Sequence, residues 1–536
     1  MKPCAYAITY DVGTTGVKTC LFRIADKLTL VNSAYGGYGL YLLDNGGAEQ
    51  DPDEWWSAIC ITTQNVLQQS GLSGDDICAV SFCSQMQCLV LADKDAKPVR
   101  RAMSYMDNRA YKQFAKGMTH GLKISGLNAR KLLVSLSITN AVAASVKDPV
   151  WKYKWVEENE PENFRRVHKW LDTKDYLIAR FTGEFTMTEG SAFATLLYDA
   201  RPGKCGWSKT MCRMLGVNTA HLPDIIKSTD QAGVISNTAA QELGLSAGTP
   251  VYGGGGDAEL IGVGIGAVDV GDTHVYLGTS GWVSTVTDKQ IVDINSMIAA
   301  AVGAQNGLYN YFAEMETAGK CLEWVKDHLA LDEIDIYLEK KHVTESLERV
   351  YLSLYDYLCE VVSHVPAGSK GVIFTPWLHG NRCPFEDPNA RGMFFNIGLE
   401  TGKSALIRAV IEGIAYHCRS MLEAQEKKLH TSDIILTAGG GATSPVICQI
   451  LADVLGRTVA TLPDSQNAGA FGAAILIAVG MGHIPSIKSA KALLPEYSTF
   501  TPDLLNKDVH DRNYQVFQSL YKNNKKSFSL LNAQPV

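Results

Sequence analysis

The sequence predicts two related α/β domains facing each other across a cleft, and three observations carry that expectation. The chain has 536 residues, 46% of them hydrophobic and 20% charged, which is too long for one ordinary core and too apolar for disorder. Runs that read as strands alternate with runs that read as helices. One glycine-tipped hairpin occurs twice, about half a chain apart.

The first hairpin starts in the strand-like run Ala5 to Tyr10, turns through Asp11-Val12-Gly13-Thr14-Thr15-Gly16-Val17-Lys18 and resumes as Thr19 to Phe22. The second follows His274 to Leu277, turns through Gly278-Thr279-Ser280-Gly281 and resumes as Trp282 to Val286. The tips match position for position, as an internal duplication requires. The polar, turn-rich stretch Ser246 to Pro250 then separates a first domain, 1–248, from a second, 249–536.

Asp51-Pro52-Asp53-Glu54 supplies an N-cap, a first-turn proline and an acid three residues after the cap, so a helix is expected over Trp55 to Gln69. Ile77 to Phe82 and Cys88 to Ala92 read as strands around the turn Ser84-Gln85-Met86-Gln87, and Asp148-Pro149 opens a helix toward Glu158. Later come a long helix over Lys403 to Lys428, a strand at Ile434 to Ala438, and a Gly439-Gly440-Gly441 loop opening a helix through Leu455. Ala468 to Gly482 reads as a buried helix, shorter than the roughly 20 residues a bilayer span needs. Residues beyond about Pro485 read as a peripheral tail.

A net charge of −7 gives no basic excess to attract nucleic acid or anionic lipid, so neither is expected as a partner. Met1 to Cys4 lead straight into a strand without the features of a secretory leader, and a cytoplasmic location is expected. Thirteen cysteines without a C-x-x-C pair read as reduced buried thiols, not zinc ligands. Gly398 to Ser404 misses P-loop spacing by one residue, and no strand precedes the glycines of Gly262 to Ala267, which argues against a dinucleotide-binding oxidoreductase.

Phosphate loops need bare amides and small hydroxyls close to a polyanion. Gly13, Thr14 and Thr15 supply them at one tip, and Gly278, Thr279 and Ser280 at the other. Asp11 adds a hard oxygen suited to Mg²⁺ and Lys18 a positive charge, although a lone loop of this kind is as readily an ordinary hairpin turn. Gly253 to Gly256 followed by Asp257 reads as a ligand-admitting loop carrying a general base, while Asp257 serves equally well as a helix cap. Gly440, Gly441 and Ser444 lie between a strand and a helix, where α/β sheets receive nucleotides. The small residues of Asn467 to Ala473 let a helix approach another backbone or a flat base, and core packing alone would demand the same.

Along nearly its whole length the chain resembles the FGGY carbohydrate kinases, especially their xylulokinase-like branch. Asp11-Val12-Gly13-Thr14-Thr15-x-x-Lys18 and Leu277-Gly278-Thr279-Ser280-Gly281 are similar to the family's two phosphate motifs, and Glu49 to Trp56 to an early helix start. Pro376-Trp377-Leu378-x-Gly380-x-Arg382-x-Pro384, Asp387 to Gly392 and Arg408 to Ala415 resemble its C-terminal signature. Gly439 to Gly456 and Asn467 to Gly472 look like its adenosine-site segments.

The resemblance implies two ribonuclease-H-like domains of the actin/Hsp70/sugar-kinase superfamily, the first binding sugar and the second ATP, with Mg²⁺ as cofactor. It implies Asp257 as catalytic base, a sugar pocket at Gln85, Met86 and Gln87, and further pocket contacts from Tyr105 and Asp107. The expected substrate is a small sugar, with D-xylulose the leading candidate. Gln87 stands where the branch usually has His, and Ala258 where it usually has Asn, and each loss removes a hydrogen-bond partner for a particular hydroxyl. A kinase of another sugar, polyol or aldonate, or a non-catalytic ATP- or sugar-binding relative, is the alternative. A homodimer is left open.

Overall fold

The computed structural model describes residues 6–329 and 360–533. Met1 to Cys4 lie outside the described residues.

The first sheet begins as a meander of β1 (Tyr6–Val12), β2 (Gly16–Ile24) and β3 (Leu28–Gly37). Helix α1 (Pro52–Ser70) leads to β4 (Ile77–Ser84), which pairs parallel with β1. Asp51 caps α1 by accepting from the Asp53 amide at 3.0 Å, and Gly71 ends it in the left-handed region at φ 67°. Helices α2 (Pro149–Asn159) and α3 (Thr173–Thr182) follow, then β5 (Gln231–Val234), β6 (Pro250–Tyr252) and β7 (Gly255–Gly256). The strand order is β5-β6-β4-β1-β2-β3, with β7 also pairing along β4.

After α4 (Asp257–Gly264) the pattern repeats. Strands β8 (Thr273–Leu277) and β9 (Gly281–Thr287) form the second hairpin, joined by β10 (Val292–Asp293), β11 (Ile298–Val302) and β12 (Tyr309–Met315), then α5 (Gly319–Leu329). Next come α6 (Lys403–Glu426), β13 (Ile434–Ala438), α7 (Pro445–Leu455), β14 (Thr458–Thr461), α8 (Ala468–Gly480), β15 (Ser498–Phe500) and α9 (Lys507–Asn532). The order of this sheet is β10-β11-β12-β9-β8-β13-β14-β15. Strand β13 runs parallel to β8 as β4 runs parallel to β1, so the duplicated tips belong to duplicated sheets.

Three expectations need correction. Strands β6 and β7 pair with β4, so a cut at 248/249 would split the first sheet; glycine-rich strands carry little propensity and pass for loops. The glycines before Asp257 are demanded by packing: a Cβ on Gly254 would lie 2.2 Å from the Phe82 carbonyl oxygen, and one on Gly256 2.2 Å from Met86 Sδ. Most of the supposed tail is α9, whose Tyr514, Phe517, Leu520 and Phe528 are buried in the second core. Among the described residues ten cysteines are free thiols, whereas Cys78 is disulfide-bonded. Among the described residues no helix is long and apolar enough to cross a membrane.

A third core joins the two sheets. Phe22, Ala79 and Tyr252 from the first sheet, and Trp282 and Ala438 from the second, enclose α4 and α8. Both helices are apolar on nearly every face, as fully buried helices must be. They touch backbone to backbone: a Cβ on Gly264 would meet the Ala468 carbonyl oxygen at 1.8 Å, and one on Gly472 the Leu260 carbonyl oxygen at 2.3 Å.

Gly264→Ala is therefore expected to destabilise the protein by about 1–3 kcal/mol or more, the cost of overpacking against atoms that cannot yield. Gly398→Ala, in a loop with open space around it and no positive φ, should not destabilise the protein. Denaturant unfolding of the two variants checks this, and equal midpoints would refute the backbone contact.

Candidate active site

The C-terminal ends of β1, β4 and β7 lie side by side, the edge at which α/β sheets present functional groups. Asp11 registers against Cys83, Gly255 registers against Cys83 from the other side, and Asp257 follows two residues later. Two strand spacings thus separate Asp11 from the start of α4, about 10 Å. Lys18 sits opposite Asp11 in the hairpin, and a Cβ on Gly469, in the first turn of α8, would lie 3.0 Å from an Asp11 carboxylate oxygen. Burial raises the Asp11 pKa against the pull of Lys18.

Mg²⁺ ordinarily takes one or two carboxylates together with phosphate oxygens and water. Asp11 fits that donor set, and among the described residues no group of three or more His, Cys, Asp or Glu forms a self-sufficient metal cage.

The first tip is a tight turn, closed by Gly13 N donating to the Gly16 carbonyl at 2.9 Å. Tyr38 Oη braces it by donating to the carbonyls of Gly13 and Gly16. Gln50 Nε2 donates to the Thr14 carbonyl at 2.6 Å, and Gln85 Nε2 donates to Gln50 Oε1 at 2.8 Å. The Thr14 and Tyr105 hydroxyls lie 3.3 Å apart. One chain of contacts so ties the phosphate-type tip to the Gln85-Met86-Gln87 turn and to Tyr105. Gln85 Oε1 is buried without a hydrogen-bond partner, an acceptor in need of a donor.

Asp107 departs from expectation. It has no exposed surface, and its carboxylate accepts from Arg109 Nη2 at 2.7 Å and from the Ala48 amide at 2.9 Å. It supports the Tyr105 segment from behind and does not line the cleft.

Asp257 opens α4, with Gly256 at the cap position. Its Oδ1 accepts from the Ala258 amide at 2.8 Å, one of the amides left without a helical partner at the start of α4. Desolvation raises its pKa to about 7, helped by the charges of Asp11, Glu314 and Asp172 and opposed by the Ala258 hydrogen bond. Glu314 belongs to β12, opposite Trp282 beside the second tip, and Asn310 Nδ2 of the same strand donates to the Ala258 carbonyl at 3.1 Å. The first turn of α4 is thereby bonded to the second sheet.

At the second tip, the Gly278 carbonyl accepts from Gly319 N at 2.8 Å and the Thr279 carbonyl from Lys320 N at 3.1 Å, which fastens the turn to the start of α5. Gly440 and Gly441 lie alongside, since a Cβ on Gly441 would be 2.8 Å from Leu277 Cβ. Ser444 is buried and caps α7 by accepting from the Ile447 amide at 3.2 Å. Ser444-Pro445 is the sequence signature of such a cap. Beside the glycines is a narrow apolar slot walled by Leu277, Gly319, Leu322, Ile411, Ile414 and Gly441. Its aliphatic residues read from sequence as ordinary core, and nothing in their spacing marks the slot; the same holds for Asn310.

A matching glycine- and hydroxyl-rich turn in each sheet, with the Asp11 and Asp257 edge beside the first and an apolar slot beside the second, fits a phosphotransferase. Family comparison gives the particular class. Residues 6–264 match the N-terminal domain, and residues 274–481 the C-terminal domain, of the FGGY family of carbohydrate kinases. The chain belongs to that family and is a sugar kinase, with ATP as phosphate donor. It is 28% identical to a xylulose kinase of Staphylococcus epidermidis over 516 residues, 96% of each chain. It is 27% identical to a gluconokinase of Bacillus subtilis over 500 residues, 93% of this chain and 92% of that one. The solved ligand-bound xylulose kinase from Lactobacillus acidophilus superposes with a TM-score of 0.82 at 23% identity, covering 98% of this chain and 100% of that one.

A carboxylate must be ionised to accept a proton, so if Asp257 is the base, a pKa raised to about 7 leaves its working form scarce in acid. The logarithm of kcat/KM for the sugar should rise with unit slope below about pH 7 and level off above it. A profile flat from pH 5.5 to 8 would exclude Asp257 as the base.

Proposed function

We propose that the chain phosphorylates a hydroxyl of a small sugar, with D-xylulose or a similar ketopentose as the leading acceptor and Asp257 as general base. The observation that carries this reading is the position of Asp257: on the edge shared with Asp11, and bonded through the first turn of α4 to the sheet bearing the second tip. The adenine ring of ATP would lie against the mouth of the apolar slot, beside the Gly440-Gly441 loop. The triphosphate then runs past Gly278, Thr279 and Ser280 toward Gly13, Thr14, Thr15 and Lys18. Asp11 would hold Mg²⁺, which when bound neutralises charge on the phosphate oxygens.

The acceptor sugar lies against Gln85, Met86, Gln87 and Tyr105. The orphaned Gln85 Oε1 takes a hydrogen bond from one sugar hydroxyl. Asp257 draws the proton from the attacking hydroxyl as the γ-phosphoryl group transfers in line, and water stays out as the walls close. The xylulose kinases among the relatives favour a ketopentose, and the gluconokinase keeps an aldonate in play. Gln87 and Ala258 offer the acceptor a different set of partners from the His and Asn usual in the branch, so discrimination among hydroxyl patterns is decided there.

Asp257→Asn should lower sugar phosphorylation by about 10² to 10⁴, the usual value of a positioned base, and leave ATP affinity within a fewfold. Turnover like that of the unaltered protein would remove Asp257 from the mechanism. In an ADP-release assay across pentuloses, polyols and aldonates, ketopentoses should give the highest kcat/KM. If an aldonate stimulates ADP release most strongly, the ketopentose assignment falls; if no carbohydrate does, so does the acceptor class.

A further inference from the structure

Lys152 lies on α2 among Trp151, Tyr153 and Val156, all buried, and has no exposed surface itself. Burying an ammonium is expensive, and an apolar side chain of similar volume would hold such a position at least as well. Lys152 instead points its Nζ at two carbonyls far apart in sequence, Gln87 at 2.9 Å and Ser104 at 2.7 Å. Those residues end one segment of the acceptor pocket and begin the other.

Gln87 is strained. Its φ is +63°, a region that favours glycine, so something must hold it there. Asp172 does so from the other side: its carboxylate accepts from the amides of Gln87 at 2.8 Å, Cys88 at 3.0 Å and Thr173 at 2.8 Å, and it caps α3. The peptide groups around Gln87 are gripped at N–H by a buried carboxylate and at C=O by a buried ammonium. The same ammonium fixes Ser104, the residue before Tyr105.

We propose that Lys152 and Asp172 form a clamp that holds Gln87 in its strained conformation and sets the spacing between the Gln85-Met86-Gln87 turn and Tyr105, and so determines which acceptor sugar fits. They are positioning residues, acting through the pocket and not on the reacting atoms. The clamp rests on the reading of that turn and Tyr105 as the acceptor site.

The test is a double-mutant cycle on the full chain with Lys152→Met and Gln87→Gly, measured with the sugar that best stimulates ADP release. Misplacement on the ångström scale costs up to about a hundredfold, so Lys152→Met should raise the sugar KM by about ten- to a hundredfold and leave the ATP KM within twofold. In the Gln87→Gly background, where glycine adopts positive φ without strain, the same substitution should cost at least fivefold less. A lysine that merely stabilises the core would give equal costs in the two backgrounds, or would shift both KM values together, and either result overturns the clamp. If Lys152→Met does not fold, Asp172→Asn replaces it in the cycle with the same criteria. Tyr105→Ala and Gln87→Gly separate the two ideas: if neither changes the sugar KM, the acceptor-site reading fails and takes the clamp with it; if both raise it while Lys152→Met does not, the clamp alone is wrong.

Discussion

The contact between α4 and α8 is the constraint on which the rest of the molecule depends. Gly264 and Gly472 let two apolar helices meet at backbone distance, and each sheet packs one face against the pair. Dense packing makes such an interface resist compression. The same helices begin at the cleft: Asp257 starts α4, and the first turn of α8 abuts the Asp11 carboxylate. The element that joins the domains therefore also carries or cradles the two carboxylates of the site.

That location explains an otherwise awkward accumulation of charge. Asp11, Glu314 and Asp172 all lie within electrostatic reach of Asp257, at a desolvated edge that would meet a triphosphate. Unopposed, they would repel it. The opposing charges come from Lys18 across the hairpin, Lys152 behind the acceptor turn, and the N-terminal end of α8, whose dipole favours an anion. The remaining repulsion falls on Asp257, where it assists desolvation and brings the carboxyl to a pKa useful for a base at neutral pH.

Local pattern made much of this visible in the sequence. The cap and proline before α1, the alternation around both tips and the run Ile434 to Ala438 all settle where expected, because each is decided by neighbours within a few residues. What was not legible depends on distant partners. Gly254 reads as loop until Phe82 is seen to occupy the space of its missing side chain. Asp107 reads as a ligand until Arg109 is seen to take its carboxylate. The stripe of Tyr514, Phe517, Leu520 and Phe528 in α9 is diluted by lysines and asparagines, and only the second core shows which face it buries. Lys152 looks like one more charge in an aromatic-rich helix, because both of its carbonyl partners belong to other segments.

The duplicated hairpins show how one backbone device serves two tasks. Both turns expose amides and hydroxyls at the end of a strand whose parallel neighbour leads into the cleft. What differs is the anchorage. The first tip is tied by Gln50 and Tyr105 to the side chains that would meet a sugar, so a change in acceptor geometry bears directly on Thr14. The second is tied by main-chain hydrogen bonds to the start of α5, a rigid attachment that makes few demands on side chains. Under the proposed assignment the two halves place unequal demands on side chains: the nucleotide wall rests on backbone course and apolar volume, whereas the acceptor wall rests on particular polar groups. Departures such as Gln87 and Ala258 on that second kind of wall carry information about substrate that equally conspicuous differences around the slot would not.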